Sequence, residues 1–229
     1  MARGYDNYNL NSQLLLDLQY REGTGTNTQD WAKPHHVCTL TGVPTWAALG
    51  NDLAYLDFVA ANPDYVLSLA GVTADLNFTT GDFSGVAWIR PDVGGEREIF
   101  TRGVPSTDGW GFYYQATTNA LIFYTNQAAA MQSTIGTTGD VVTGVWQLVG
   151  FTRDGAAACV YVNGTETTAT YATHVDPLTS ARNLYIGTTN GAGAGWYDGD
   201  MYRPRIWSRC LSAAEMHSLF MVEHQLLGL

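Results

Sequence analysis

Short apolar runs with a two-residue period recur along the chain, and Gly, Asn, Asp or Pro closes each one. The run 83–90 alternates from Phe83 through Val86 and Trp88 and stops at Pro91-Asp92. Period-two alternation sends successive side chains to opposite faces of a strand. Runs 110–115 and 121–125 flank Thr117–Ala120, which reads as a hairpin. Runs 145–152 and 158–162 end at Asp154-Gly155 and Asn163-Gly164. Such pairs favour type I′ turns, in which both central residues need positive φ. Runs 183–187 and 201–207 add two strands, with Pro204 marking an edge or a bulge in the second. The pattern predicts an antiparallel β-sandwich rather than βαβ units.

One helix stands out, over 212–227. Ser212 and Glu215 form a capping box, each side chain placed to satisfy an orphan backbone N–H. Met216, Leu219, Phe220, Leu226 and Leu227 follow at roughly helical spacing. Met221 and Val222 make the helix apolar on more than one side. Either it packs wholly on the sandwich, or its end, with Phe220, Leu226 and Leu227, docks on a partner. Residues 1–12, including Arg3, Tyr5 and Tyr8, precede the first apolar run and read as an arm outside a single domain spanning 13–229.

Composition narrows the function. Charged residues are 14% of the 229, against roughly 25% in an average soluble protein. Eleven basic and 21 acidic residues give a net charge of −10. Lys33 is the single lysine, so a nucleic-acid partner is not expected. No apolar run reaches the ~20 residues of a membrane helix. The start lacks an apolar leader, so synthesis in the cytoplasm without export is expected. Cys38, Cys159 and Cys210 are odd in number, lack metal or redox spacing, and read as small buried hydrophobes.

An ordered series of motifs then resembles a known family. Leu15–Gly25 resembles an opening strand and turn of the form L-x-F-x-E-G-x-G, followed by 39–42, 53–58 and 64–66. Phe78–Pro91 is similar to an F-T-x-x-A-W-x-x-P strand. Gly144–Gly164, Leu184–Gly187 and Arg205–Glu215 complete the series. Together, over about residues 13–220, they resemble a concanavalin A-like jelly-roll module of the laminin-G-like and pentraxin-like branch. The resemblance implies an all-β jelly roll with lectin-like, non-enzymatic binding. One departure stands out: an acidic pair common before the closing strand falls here on Tyr202 and Arg203.

Candidate chemistry is sparse. The superfamily's endoglucanases carry Glu-x-Asp-x-x-Glu on a strand as nucleophile and acid/base. Glu96-Arg97-Glu98 is the nearest run and lacks the third acid, so no catalytic residues are assigned. His35 and His36 sit in a polar loop without an adjacent acidic or Cys partner, and His174, His217 and His224 are equally solitary. A metal is not expected, and calcium, which the resemblance allows, has no ligand motif here. The Gly-rich segment 187–195 leads into Trp196, Tyr197, Asp198 and Asp200. Aromatic faces stack on sugar C–H groups while carboxylates accept hydroxyl hydrogen bonds, so these residues and Trp110 are candidates for carbohydrate binding. The alternative places both tryptophans down on the sheet. Two roles follow. The first is a structural surface protein of a bacteriophage virion, a capsid decoration or tail component, homo-oligomeric and docked on a capsid or tail protein through its termini. The second is a free lectin-like protein that binds glycans through rim loops; the two are compatible, since a displayed sandwich can also touch host surface glycans.

Overall fold

The computed structural model describes residues 10–92, 97–189 and 195–228. The chain first builds β1 (Leu14–Asp17), β2 (Asn27–Gln29), β3 (Val37–Thr41), β4 (Thr45–Ala48), β5 (Ala54–Phe58) and β6 (Tyr65–Ser68). Two 3-10 turns follow, Ala70–Val72 and Ala74–Leu76. Next come β7 (Phe83–Pro91), β8 (Arg97–Val104), β9 (Asp108–Tyr114), β10 (Leu121–Gln127), β11 (Ala130–Gly136), β12 (Gln147–Asp154) and β13 (Ala157–Val162). β14 (Thr165–Glu166), β15 (Thr168–Thr170), β16 (Leu184–Ile186), β17 (Gly199–Trp207) and helix α1 (Ala213–Leu227) complete it.

The strands form two antiparallel sheets. One runs β14-β13-β12-β7-β17-β5-β4, with β1 also pairing with β17; the other runs β15-β11-β10-β9-β8-β16-β6-β3-β2. Their inner faces enclose the main core, where Phe123 and Phe151 stack at 4.4 Å and Trp110 lies 5.2 Å from Phe83. A second apolar layer forms on the outer face of the eight-stranded sheet. There Val86, Trp88, Leu148, Tyr161 and Tyr202 meet Met216, Leu219 and Leu227 of α1. The fold is therefore the expected all-β sandwich with one C-terminal helix.

The turns follow local chemistry. Pairing of Val162 with Thr165 leaves Asn163 (φ 51°) and Gly164 (φ 73°) as the central pair, a type I′ turn as expected. The other expected turn is shifted by one residue. Asp154 pairs with Ala157, so the loop is Gly155-Ala156 and only Gly155 takes positive φ. Pro204 falls at a bulge between Tyr202 and Arg205 in β17, which has partners on both sides. The extra residue, Arg203, takes φ 51°.

That bulge turns Arg203 beneath α1. Arg203 donates to Asp17 at 3.0 and 3.1 Å and to Glu223 at 2.9 Å. Glu223 also accepts from Arg205 at 2.6 Å and from the Trp88 indole at 2.8 Å. Burial pushes the Asp17 carboxyl up, but Arg203's charge and hydrogen bonds outweigh it and hold the group below its usual value. The capping box forms as predicted, with Glu215 N–H donating to Ser212 Oγ at 3.3 Å and Ser212 N–H donating to the Glu215 carboxylate at 2.9 Å.

At the C-terminal end, the helix takes the first of the two readings and packs on the sandwich. Phe220 stacks on Trp88 at 5.9 Å, Leu227 is buried in the second layer, and the Leu226 carbonyl accepts from Asn51. A helix laid along an apolar sheet face buries its stripe there, so these residues meet their own sandwich. The exposed large apolar side chains of α1 are Met221 and Val222. Arg3, Tyr5 and Tyr8 lie outside the described residues. Of the expected arm, Leu10–Ser12 is bound: the Leu10 carbonyl accepts from Trp207 Nε1 at 2.6 Å and the Ser12 carbonyl from Arg209 at 3.0 Å.

Candidate functional site

Among the described residues no helix covers the outer face of the nine-stranded sheet. Ile99, Phe100, Phe112, Phe123, Leu184, Ile186 and Val66 point into the main core. Alternation therefore sends Tyr65, Leu67, Tyr185, Thr101, Gly111 and Tyr124 outward. The register aligns most of these in a single row. Thr39 pairs with Leu67, Leu67 with Tyr185, Tyr185 with Thr101, Thr101 with Gly111, Gly111 with Tyr124, and Tyr124 with Ser133. At the inter-strand spacing of about 4.8 Å, the stretch from Leu67 to Tyr124 spans roughly 19 Å, but Tyr185, Thr101, Gly111 and Tyr124 within it are buried, so the face is open at the Tyr65 and Leu67 end. Gly111 is required in it, because an added Cβ would lie 2.2 Å from the Tyr124 hydroxyl oxygen.

Three aromatic rings gather at one end of this face. Tyr65 lies 5.8 Å from Tyr185 at 57° and 5.8 Å from Trp196 at 35°. Tyr65 and Trp196 are half-buried, so each keeps ring surface open to solvent. The segment carrying Trp196 is pinned on both sides: Glu98 N–H donates to the Gly195 carbonyl at 2.9 Å and Tyr197 N–H to the Gly187 carbonyl at 2.8 Å. Asn183 Nδ2 donates to the Tyr185 hydroxyl at 3.4 Å, and the buried Glu98 accepts from Thr101 at 2.7 Å. The cluster is a fixed aromatic platform with polar neighbours.

The other predicted carbohydrate residues are placed differently. Trp110 is fully buried and its indole donates to the Leu76 carbonyl at 3.1 Å, so its faces belong to the core. The period shared with Phe112 and Tyr114 is the physical reason. Tyr197 is also fully buried, 5.8 Å from Phe58, with its hydroxyl donating to the Asp200 carbonyl. Asp200 is buried against Arg90, whose guanidinium also lies over Trp146. Burial, with Asp57 and Asp92 nearby, outweighs Arg90 and pushes the Asp200 carboxyl up to about 6. Asp198 accepts from Ala60 N–H at 3.1 Å and stays partly exposed at the rim. Of the five candidates, Trp196 alone presents an aromatic face. Glu96 and residues 190–194 of the Gly-rich segment lie outside the described residues.

Two other polar centres lie elsewhere in the fold. His36, expected to have no acidic neighbour, is buried between Asp30 at 2.7 Å and Asp75 at 2.9 Å. Burial pulls its pKa down, but these two hydrogen bonds and charges win and raise it to about 9. His174 is buried between the Thr125 and Thr134 hydroxyls, each at 2.9 Å. Burial, aided by Arg153, lowers its pKa to about 4. Neither ring opens to solvent, so both tie loops to the sandwich. No group of three or more His, Cys, Asp or Glu suited to a metal is present among the described residues. The three cysteines are free; Cys38 is buried, and Cys159 and Cys210 are half-buried.

A laminin G-type family model, described as the concanavalin A-like lectin/glucanases superfamily, matches residues 67–217, more than half of the chain. The chain belongs to this superfamily. No curated protein matches it. Among solved structures, it is similar to a botulinum neurotoxin type C described as dependent on interaction with two ganglioside molecules to enter cells. That match has 16% identity and a TM-score of 0.70, covering 93% of this chain and 52% of the other. It is also similar to the binding domain of botulinum neurotoxin DC in complex with rat synaptotagmin II, at 14% identity and TM-score 0.68, with 93% and 52% covered. The binding domain of paraclostridial mosquitocidal protein 1 matches at 14% identity and TM-score 0.71, with 92% and 52% covered. The chain thus spans about half the length of these neighbours, and the likeness is one of fold.

Proposed function

We propose that the protein is a non-enzymatic glycan-binding module whose combining face is the outer surface of the nine-stranded sheet at Tyr65 and Trp196, backed by the buried Tyr185. One observation carries the reading: Trp196, half-open to solvent, is held at 35° to Tyr65 by backbone hydrogen bonds on both sides of its segment. An aromatic ring fixed before binding loses little entropy when a sugar C–H face stacks on it. Glycoside hydrolysis needs two carboxyl groups placed across the scissile bond. Beside the rings Glu98 is buried and hydrogen-bonded to Thr101, and the rim acid Asp198 accepts from Ala60 N–H. The superfamily includes lectins, and the binding-domain neighbours are similar in fold, both of which agree with recognition. Calorimetric titration of wild type and Trp196→Ala tests the reading. Affinity for a glycan identified on an array falls at least ~10-fold, about 1.4 kcal/mol, while the circular dichroism spectrum is unchanged. Equal affinity in the variant contradicts it.

A second reading, a surface component of a bacteriophage virion made in the host cytoplasm, is favoured by the adjacent exposed Met221 (48%) and Val222 (42%) on α1. With Arg3, Tyr5 and Tyr8 of the arm they would dock the module on a capsid or tail protein and leave the aromatic face outward. Met221→Asp/Val222→Asp combined with deletion of residues 1–9 then lowers the copy number on purified particles. Full occupancy removes this reading.

A further inference from the structure

We infer that the ligand is a neutral sugar joined to an apolar group, with the sugar on Tyr65 and Trp196 and the apolar group lying along β6 over Leu67, Leu69 and Val37; this rests on the glycan-binding reading above. Alternation sets these side chains on one face. Val66 and Ser68 are buried, so Tyr65, Leu67 and Leu69 point outward together, and Cys38 is buried, so Val37 does the same. Cys38 pairs with Ser68, which puts Val37 opposite Leu69, and Ser68 Oγ donates to the Val37 carbonyl at 2.9 Å. At about 3.4 Å per residue, Tyr65 and Leu69 stand roughly 13 Å apart along the strand. Val72 closes the far end, its N–H donating to the Leu69 carbonyl at 3.0 Å.

The face changes character along that length. At one end stand the two half-buried rings, which suit sugar C–H groups. At the other, Val37 is 65%, Leu69 58% and Val72 53% exposed, and these aliphatic side chains offer a sugar no π-face. The strands beneath carry no charge: β2, β3, β6 and β16 contain no Asp, Glu, Lys or Arg, in a chain whose net charge is −10. Gln29 and Thr39, paired with Val37 and Leu67, are neutral too. Exposed strands near a sheet edge ordinarily carry charges that keep them in water and block association. Here the open surface is apolar and continuous with the ring platform. A ligand that covers both halves therefore needs an apolar group attached directly to its sugar, and burying that group is favourable in proportion to the area it removes from water.

Calorimetric titration of the whole chain with methyl and hexyl glycosides of glucose, galactose, mannose and N-acetylglucosamine tests the inference, the hexyl members kept below their micellar concentration. For a sugar that binds, the hexyl glycoside binds at least ~10-fold more tightly than the methyl one, for which burial of about two methylenes suffices. Val37→Ser/Leu69→Ser, at two exposed positions, removes most of that advantage and leaves methyl glycoside affinity unchanged, whereas Trp196→Ala weakens both. Equal affinity for the two glycosides overturns the inference while leaving glycan binding intact. A hexyl advantage that Val37→Ser/Leu69→Ser retains overturns the assignment to these side chains. Ligand-free dimerisation, or binding to sugar-free phosphatidylcholine vesicles, that the same variant abolishes also overturns it, by giving the aliphatic half to a second copy or to a lipid surface. Binding of no glycoside, methyl or hexyl, overturns the glycan reading itself, and the inference with it.

Discussion

Glu223 ties α1 to the sandwich, and replacing it gives a calculable loss. Its side chain is 2% exposed and accepts three hydrogen bonds, two of them from the guanidinium groups of Arg203 and Arg205. In Glu223→Leu, Arg203 keeps its ion pair with Asp17, whereas Arg205 loses its ion pair, keeps Asp17 only as a nearby cross-strand charge, and already has a buried Nε without a partner. Breaking a buried pair by removing one partner costs about 3–5 kcal/mol, mostly from the charge left behind. Glu223→Leu/Arg205→Met removes both charges, and its cost falls to about 1–2 kcal/mol, the remainder being the Trp88 indole N–H without an acceptor. The double variant is therefore more stable than Glu223→Leu, and the cycle gives a coupling of at least about 2 kcal/mol once any loss in Arg205→Met is added. Urea unfolding followed by tryptophan fluorescence and far-ultraviolet circular dichroism, with linear extrapolation, supplies the four free energies. A loss below about 1 kcal/mol in Glu223→Leu, or a double variant whose loss equals the sum of the singles, refutes the reasoning.

Two further predictions concern stability. The folded-state pKa of His36, about 9, lies above the ordinary 6.5, so its contribution is complete below pH 6.5 and disappears as pH rises through 9. Unfolding free energy falls by up to about 3 kcal/mol between pH 6.5 and 9.5, and the slope is lost in His36→Gln; urea melts in that window check it, and a flat wild-type profile contradicts it. Gly164→Ala puts a Cβ 2.7 Å from the His217 Cα at φ 73°, whereas Gly155→Ala meets nothing within 4 Å at φ 55°. The first costs about 2–4 kcal/mol because α1 must shift as well as the turn strain, and the second about 1 kcal/mol; similar losses in parallel melts contradict the packing of α1 on that turn.

Hairpins and caps were legible in the sequence because they are local. The Asn163-Gly164 turn needs two left-handed residues, and Ser212 with Glu215 closes its box within one helical turn. Asp154-Gly155 gave the right hairpin with the turn shifted by one, since register is settled by strand pairing and not by the dipeptide. Pairing also decides the short strands β2, β4, β14 and β15, whose two to four residues carry too little pattern to stand out. The site was less legible. Trp110 drew attention by following a turn, although its period with Phe112 and Tyr114 already placed it inward. The same rule applied to Leu184 and Ile186 leaves Tyr185 outward, and applied to Val66 it leaves Tyr65 and Leu67 outward, a signal present but not used. No pattern brings Asp75 to His36, 39 residues apart, or Asp17 to Arg203, 186 apart. The expected acidic pair at Tyr202 and Arg203 is a case in point. Arg203 stands there, and its carboxylate partners come from the opposite ends of the chain.

The most direct test of the binding face is amide chemical-shift mapping with a neutral oligosaccharide selected on the array. The largest shifts are expected at Tyr65, Leu67 and Trp196, with α1 and the eight-stranded sheet unmoved. Shifts concentrated on α1 or on the loops at the opposite end of the sandwich, with Trp196 unchanged, contradict it.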